Sequence, residues 1–532
     1  MKTSAILTDF QINDISTNNW TWAKTMGYAT GSGTSGSPYV IEDQIFEYSI
    51  GLGNCLEIRN SLKHFILRNC TFRNADMSSY GLYMNNVTNG LIIDCNFIVN
   101  AWPGDTGIYM NNVNDTEIRD SALLGNTDHG IFLTNSHYNT FFGNNISLNT
   151  AMGIYGDAST HNTISNNGFY DNGIIGILLV TGSDNNIISD NFFTGNQYGI
   201  YIDTCMENTI SNNDLIDNDV FGIYLEDGDT SNIVSNTANE HNVGGIYMEL
   251  GSDDNTISKN NANKNDVFGI YCVNSAGNEF SKNTVNTNAI SGLHLDSCID
   301  SLIQDNTAYN NSIFGIYFGG GINITCIGNT AYENKQFGIV LSGTDGSRIE
   351  DNNVHHNDLG GLRLDSSLSN ILKNNIVQYN NFSGISLISG SNYNLMINNI
   401  ASYNVEHGIL LESSISNTIT GNTANSNGKN GIHLRSSLFN SIVSNTANNN
   451  KNGTFLENSD FNTVTDNIFL GNGICYNETG STGNIFEDNI CTSAGGFGLD
   501  LSTVLLIVSI VEGVVLGAII GAYILRRKRK SI

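Results

Sequence analysis

The chain has 532 residues, 14% of them charged, with 56 glycines, 2 prolines and a formal net charge of −28. Disordered chains are rich in Pro, Lys and Glu, and a surface this acidic repels phosphate backbones, so neither disorder nor nucleic-acid binding is expected. Asn and Gly, which best tolerate positive φ, are spread from Asn54 to Asn489 and predict a fold that turns every few residues.

Residues 1–36 precede any regular pattern and include Trp20 and Trp22. A stack of repeats needs its open end covered, so this segment is expected to be an N-terminal cap, with a sugar-binding Trp pair as the less favoured alternative. Met1 to Asp14 carries no hydrophobic signal-peptide core, which favours a start upstream of Met1.

From residue 37 to 474 one four-residue word recurs. Its glycines run from Gly81 through Gly107, Gly130 and Gly153 to Gly453, mostly 23 residues apart, and a glycine-less version, Cys55-Leu56-Glu57-Ile58, precedes them. That makes 18 units. In Gly222-Ile223-Tyr224-Leu225, Ile and Leu are two apart, so on a strand both point one way and Tyr the other. A second short strand follows, as in Asn208-Thr209-Ile210, and a third apolar position recurs at Phe169, Leu215, Ala238 and Ala262. Three strands of three to five residues with turns fill one unit. The expectation is an all-β, right-handed, single-stranded parallel β-helix of about 18 coils and period 23, about 85 Å long at ~4.8 Å per coil.

Two asparagine columns accompany the repeat. One runs from Asn144 and Asn167 through Asn213 to Asn467, with Asp190 as its interruption; the other runs from Asn126 to Asn449. Asn at the same turn of successive coils can pass amide hydrogen bonds along a rod.

These words resemble the parallel β-helix repeats of the pectin-lyase-like superfamily, and most closely the nitrous-oxide-reductase-accessory (NosD-type) group of surface and periplasmic β-helices. The resemblance spans roughly residues 37–490 and includes the entry segment Gly31 to Glu42. It implies the fold and is nearly silent on activity, since the superfamily holds lyases, hydrolases, epimerases, adhesins and accessory proteins.

Outward side chains that line up on neighbouring coils are the candidate site. Two residues after the glycine stand Tyr201, Tyr224, Tyr247, Tyr271, His294 and Tyr317; four after it stand Asp203, Glu226, Glu249 and Asp296. Sugar rings suit aromatic planes and their hydroxyls suit carboxylates, so this strip is a candidate polysaccharide or glycan site. An insertion carrying Trp102 would wall one end. Stacked Asp203, Glu226 and Glu249 are candidate calcium ligands. The ordinary alternative is an exposed Tyr-rich strand surface. No Arg or Lys falls between Arg119 and Lys259, which leaves the strip without a base and lowers the expectation of an enzyme. His355-His356 is the sole histidine pair, and no copper cluster is visible. A glycan-binding surface protein comes first, then a polysaccharide lyase, hydrolase or epimerase, then an envelope spacer or adhesin, with a NosD-like accessory role for a metalloenzyme as a further alternative.

Nine cysteines without a C-x-x-C argue against a zinc ribbon. Cys70 and Cys95 occupy equivalent places on neighbouring coils, so a disulfide or two stacked thiols fits the ~4.8 Å spacing. Residues 475–500 are expected to be a C-terminal cap and linker, with Cys475 and Cys491 able to staple it. Residues 501–525 are apolar apart from Glu512, long enough to cross a bilayer, and lead into the basic run 526–530 of the tail 526–532. The positive-inside rule then places the tail in the cytoplasm and the β-helix outside, as a single-pass membrane protein. Gly513, Gly517 and Gly521 form two overlapping G-x-x-x-G words, which suit a homodimer or another membrane partner, and Glu512 would need protonation or pairing.

Overall fold

In the strand Phe221–Glu226, Ile223 and Leu225 are fully buried while Tyr224 and Glu226 stay half-buried on the outer side. This alternation repeats coil after coil and generates the molecule. The computed structural model describes residues 6–48, 53–75, 79–98 and 104–493. Within them the chain is a right-handed parallel β-solenoid of about 19 turns. Trp102, Glu512, Gly513, Gly517 and Gly521 lie outside the described residues, as do the linker and apolar stretch from 494 on. Among the described residues no helix is long and apolar enough to cross a membrane.

Three parallel ladders run the length of the rod. The first, built from the Gly-Ile-Tyr-Leu words, begins with Phe10–Asn13 beside Leu56–Ser61 and ends with Asn452–Glu457 beside Ile474–Thr479. The second runs from Tyr39–Glu42 to Ile485–Glu487. The third begins at Ile6–Thr8 beside Ile45–Glu47. It thins to single bridges, Thr237 to Asn261 to Thr284, where Ala262 supplies the inward position.

The segment taken as a cap therefore contributes two strands of an additional first coil. What caps that coil is the short helix Trp20–Thr25, whose N-cap Asn19 accepts from the Trp22 amide. Trp20 is buried, stacked on Tyr39 and Phe65 at centroid distances of 5.3 and 5.2 Å, and its indole N–H donates to Ser61 Oγ at 2.9 Å. Trp22 packs on Phe10, 5.7 Å between centroids. Both rings belong to the end of the core, not to a sugar site. At the other end, Ile474–Thr479, Ile485–Glu487 and Ile490–Ser493 complete a last coil within the segment taken as cap and linker.

The first asparagine column is continuous, the second is interrupted by His241, and the structure corrects one residue in each. Asn191, not Asp190, carries the first column: Asn167 Nδ2 donates to Asn191 Oδ1 at 3.0 Å, and Asn191 Nδ2 to Asn213 Oδ1 at 3.0 Å. Asp190 sits just before it in the left-handed turn, φ 57°. The second column reaches Asn450, not Asn449, through Asn427 Nδ2 to Asn450 Oδ1 at 3.2 Å. A third column, Asn139 to Asn162 to Asn186, was missed because serine replaces Asn along it, as at Ser231.

Cys70 and Cys95 are not bridged; both are free and buried. Each thiol donates instead to a main-chain carbonyl, Cys70 to Arg68 and Cys95 to Ile93, both at 3.3 Å. Cys475 and Cys491 are joined by a disulfide with a Cα separation of 5.8 Å.

Candidate functional site

The outer face of the first ladder holds the strip in strict register. Tyr201 lies beside Tyr224, Tyr224 beside Tyr247, Tyr247 beside Tyr271, Tyr271 beside His294 and His294 beside Tyr317. Asp203, Glu226 and Glu249 stack in the same way. At this spacing the rings touch each other: Tyr247 and Tyr271 stack at 5.1 Å, whereas Tyr201 and Tyr224 meet edge to face at 4.5 Å. Ring faces are thus spent largely on neighbouring rings. An outward partner meets ring edges, hydroxyls and carboxylates, which corrects the expectation of sugars lying on open aromatic planes.

The carboxylates are engaged diagonally along the rod. Tyr201 donates its hydroxyl to Glu226, and Tyr224 donates to Glu249. Glu249 also accepts from Tyr247 at 2.9 Å, and Asp296 accepts from Tyr271 at 3.2 Å. Burial, and then the accepting carboxylate, pushes the Tyr201, Tyr224 and Tyr247 hydroxyls well above their ordinary value. His294 lies 3.4 Å from Asp296, and burial holds its imidazole below the usual range. Asp203 accepts from Thr204 at 2.7 Å. Because Glu226 and Glu249 turn to tyrosine hydroxyls, they do not converge with Asp203. Among the described residues no group of three acid, His or Cys side chains is arranged to hold a metal ion, Asp203, Glu226 and Glu249 included.

Further along the same face, in the column that continues through Ser386, Leu410, His433 and Phe455, the surface sinks into a cleft of about 350 Å³. His407 and His433 form its floor. The Asn430 amide donates to His407 Nδ1 at 3.4 Å, which leaves the proton on Nε2, 3.3 Å from His433 Nδ1. His433 Nε2 in turn faces Glu457 at 3.5 Å. Burial, followed by the neighbouring His433 and Lys429, pulls His407 down to about 3, and burial also lowers His433. Lys429 pairs with Glu406, and Arg435 lies 3.4 Å from Glu412. Read only at the positions two and four after each glycine, the sequence does not reach this constellation. Glu406-His407, Lys429-Asn430 and Lys451-Asn452, at that one place on three consecutive coils, were the available signal.

A parallel β-solenoid with a row of tyrosines and carboxylates on one face and a cleft further along that face is the class of protein defined here. The chain belongs to the right handed beta helix region family, matched in overlapping segments over residues 54–213, 106–262, 178–298, 268–423 and 338–491. No curated protein matches it in sequence. Among solved structures it is similar to bacteriophage phi29 gene product 12, at 13% identity over 87% of this chain and 73% of that one, TM-score 0.45. It is similar to a mutant of the periplasmic alginate epimerase AlgG, at 16% identity over 64% and 85%, TM-score 0.42. It is also similar to a PL6 alginate lyase in complex with a trisaccharide, at 13% identity over 71% and 86%, TM-score 0.39.

Proposed function

We propose that this protein is a membrane-anchored, cell-surface β-helix that binds polysaccharide along the outer face of its first ladder. The observation that carries the reading is the in-register row of Tyr201, Tyr224, Tyr247 with Asp203, Glu226, Glu249. It offers hydroxyl and carboxylate oxygens at ~4.8 Å intervals, close to the rise of a sugar residue, to an extended polymer. Anchoring rests on the apolar stretch 501–525 and the basic run after it.

The test is a glycan array with the wild type, the Glu226→Gln/Glu249→Gln double variant and the Tyr201→Ala/Tyr224→Ala/Tyr247→Ala triple variant, each checked for a strand-type spectrum. Hydrogen bonds to charged groups contribute ~1.5–3 kcal/mol each, so the double variant should lose at least about tenfold in affinity. Equal binding by all three would remove the strip as a site. Absence of binding by any would favour the envelope spacer or accessory readings.

The cleft supports a second reading, a polysaccharide-acting enzyme. His433 lies between His407 and Glu457, 3.3 and 3.5 Å away, an arrangement that can pass on a proton. Lys429, Arg435 and Lys451 supply the cations that the strip lacks. New reducing or unsaturated ends from bound glycan, abolished by His433→Ala, would establish it.

A further inference from the structure

Among the described residues no further coil follows the last one, and Ile474–Thr479, Ile485–Glu487 and Ile490–Ser493 each pair there with the preceding coil. Its apolar residues are left in the open: Ile474, Tyr476, Ile485 and Ile490 are 43–49% exposed, with Phe486 partly covered beneath Tyr476, 4.5 Å between ring centroids. The opposite end is closed by the helix Trp20–Thr25 and the buried Trp20. The Cys475–Cys491 disulfide ties the first strand of the last coil to its third, which makes the coil a fixed end face.

The sequence beyond it says what such a face would meet. Only seven residues, 494–500, separate Ser493 from the apolar stretch that starts at Leu501. Fully extended, seven residues reach at most about 25 Å, so if 501–525 spans a bilayer the end face is tethered within about that distance of it. We propose that the lipid surface itself covers the C-terminal end of the solenoid, with Ile474, Ile485 and Ile490 set at the headgroup–acyl boundary, Tyr476 at headgroup level, and the rod standing outward from the membrane. This rests on the anchoring proposed above. Aliphatic side chains gain by leaving water, and tyrosine favours the interface because one end of its ring is apolar and the other polar. The same contact occupies the outer strand edges of this coil, which would otherwise invite end-to-end association. Glu478, Glu487 and Asp488 on this coil carry negative charge, so the fitting partner is a zwitterionic surface rather than an anionic one.

The test uses the full chain in phosphatidylcholine vesicles with and without bromine on shallow acyl carbons. The native tryptophans, Trp20, Trp22 and Trp102, all lie within the first 102 residues of the sequence, so a tryptophan placed in the last coil reports on the proposed contact against their constant background. Ile485→Trp and, separately, Ile490→Trp should each lose about half of the added emission in brominated vesicles, as expected for a side chain within ~5–10 Å of the boundary. A Leu62→Trp control, on an exposed turn of an early coil, should lose none. Quenching should weaken when anionic lipid replaces phosphatidylcholine. If the protein floats with the vesicles but neither variant is quenched, the rod hangs free on its linker and the proposal fails, with dimers by sedimentation pointing to a second copy on the end face. If the protein does not float, the anchoring reading fails and takes this inference with it.

Discussion

His241 occupies a place in the second asparagine column that Asn holds in the coils on either side. Its Nδ1 accepts from the Asn218 amide at 3.1 Å and its own amide donates to Asn265 Oδ1 at 3.0 Å, but its Nε2 is buried without a hydrogen-bond partner. Burial is the main cause that lowers its pKa from 6.5 to about 4, against opposing main-chain contacts from Asn218 and Leu215. A histidine depressed in the folded state contributes stability above its unfolded value and loses it as pH falls from 6.5 towards 4. His241→Asn should therefore stabilise the neighbouring coils by about 1–2 kcal/mol at pH 7, since it removes an orphaned donor and restores the ladder. The gain should widen between pH 6.5 and 4. Hydrogen exchange across residues 200–290 at pH 7 and 4.5 reads both effects; equal protection in variant and wild type at both values would contradict them.

At the level of the strand and its turn, three-residue strands have too few contacts to stand alone, and the buried amide ladders hold each to the next. Asn329 shows the density of these contacts: its Nδ2 donates to Ile303 O at 2.9 Å and Asn352 Oδ1 at 3.0 Å, while its Oδ1 accepts from the amide and side chain of Asn306. Asn329→Ala strands several buried groups at ~1–3 kcal/mol each, so the coils around it should lose at least about 3 kcal/mol of opening free energy in hydrogen exchange. A loss below about 1 kcal/mol, the scale of one ordinary hydrogen bond, would mean that the column is not what couples the coils. Period, inward code and columns were legible because each coil repeats the same burial problem. The slips at Asp190 and Asn449 show where that legibility ended: a coil one residue longer or shorter shifts which Asn enters the turn, and the spacing alone does not say which. The strip was legible as positions, but not the mutual stacking of Tyr247 and Tyr271 or the diagonal bonds to Glu226 and Glu249, which depend on rotamers. The cleft went unread because His407 and Lys429 lie outside the word that defined the repeat.

Across the whole molecule each coil touches only its neighbours, so stability is a sum of local terms and opening can begin at an end. The amino-terminal end is held by aromatic packing around Trp20, the other by one covalent bond, Cys475–Cys491, with a sequence separation of 16. Among the described residues the other cysteines are free, buried thiols with no bond to reduce. A reductant should therefore act on the terminal bridge alone. Closing a loop of that length contributes ~3 kcal/mol in the chain-entropy account, a large share of what a single coil holds. Reduction of the detergent-solubilised full chain should accordingly raise hydrogen exchange over residues 452–493, with the effect fading coil by coil and absent before Gly338. A uniform rise along the whole rod would show that the solenoid opens as one unit, and that long-range coupling outweighs the nearest-neighbour contacts of its ladders.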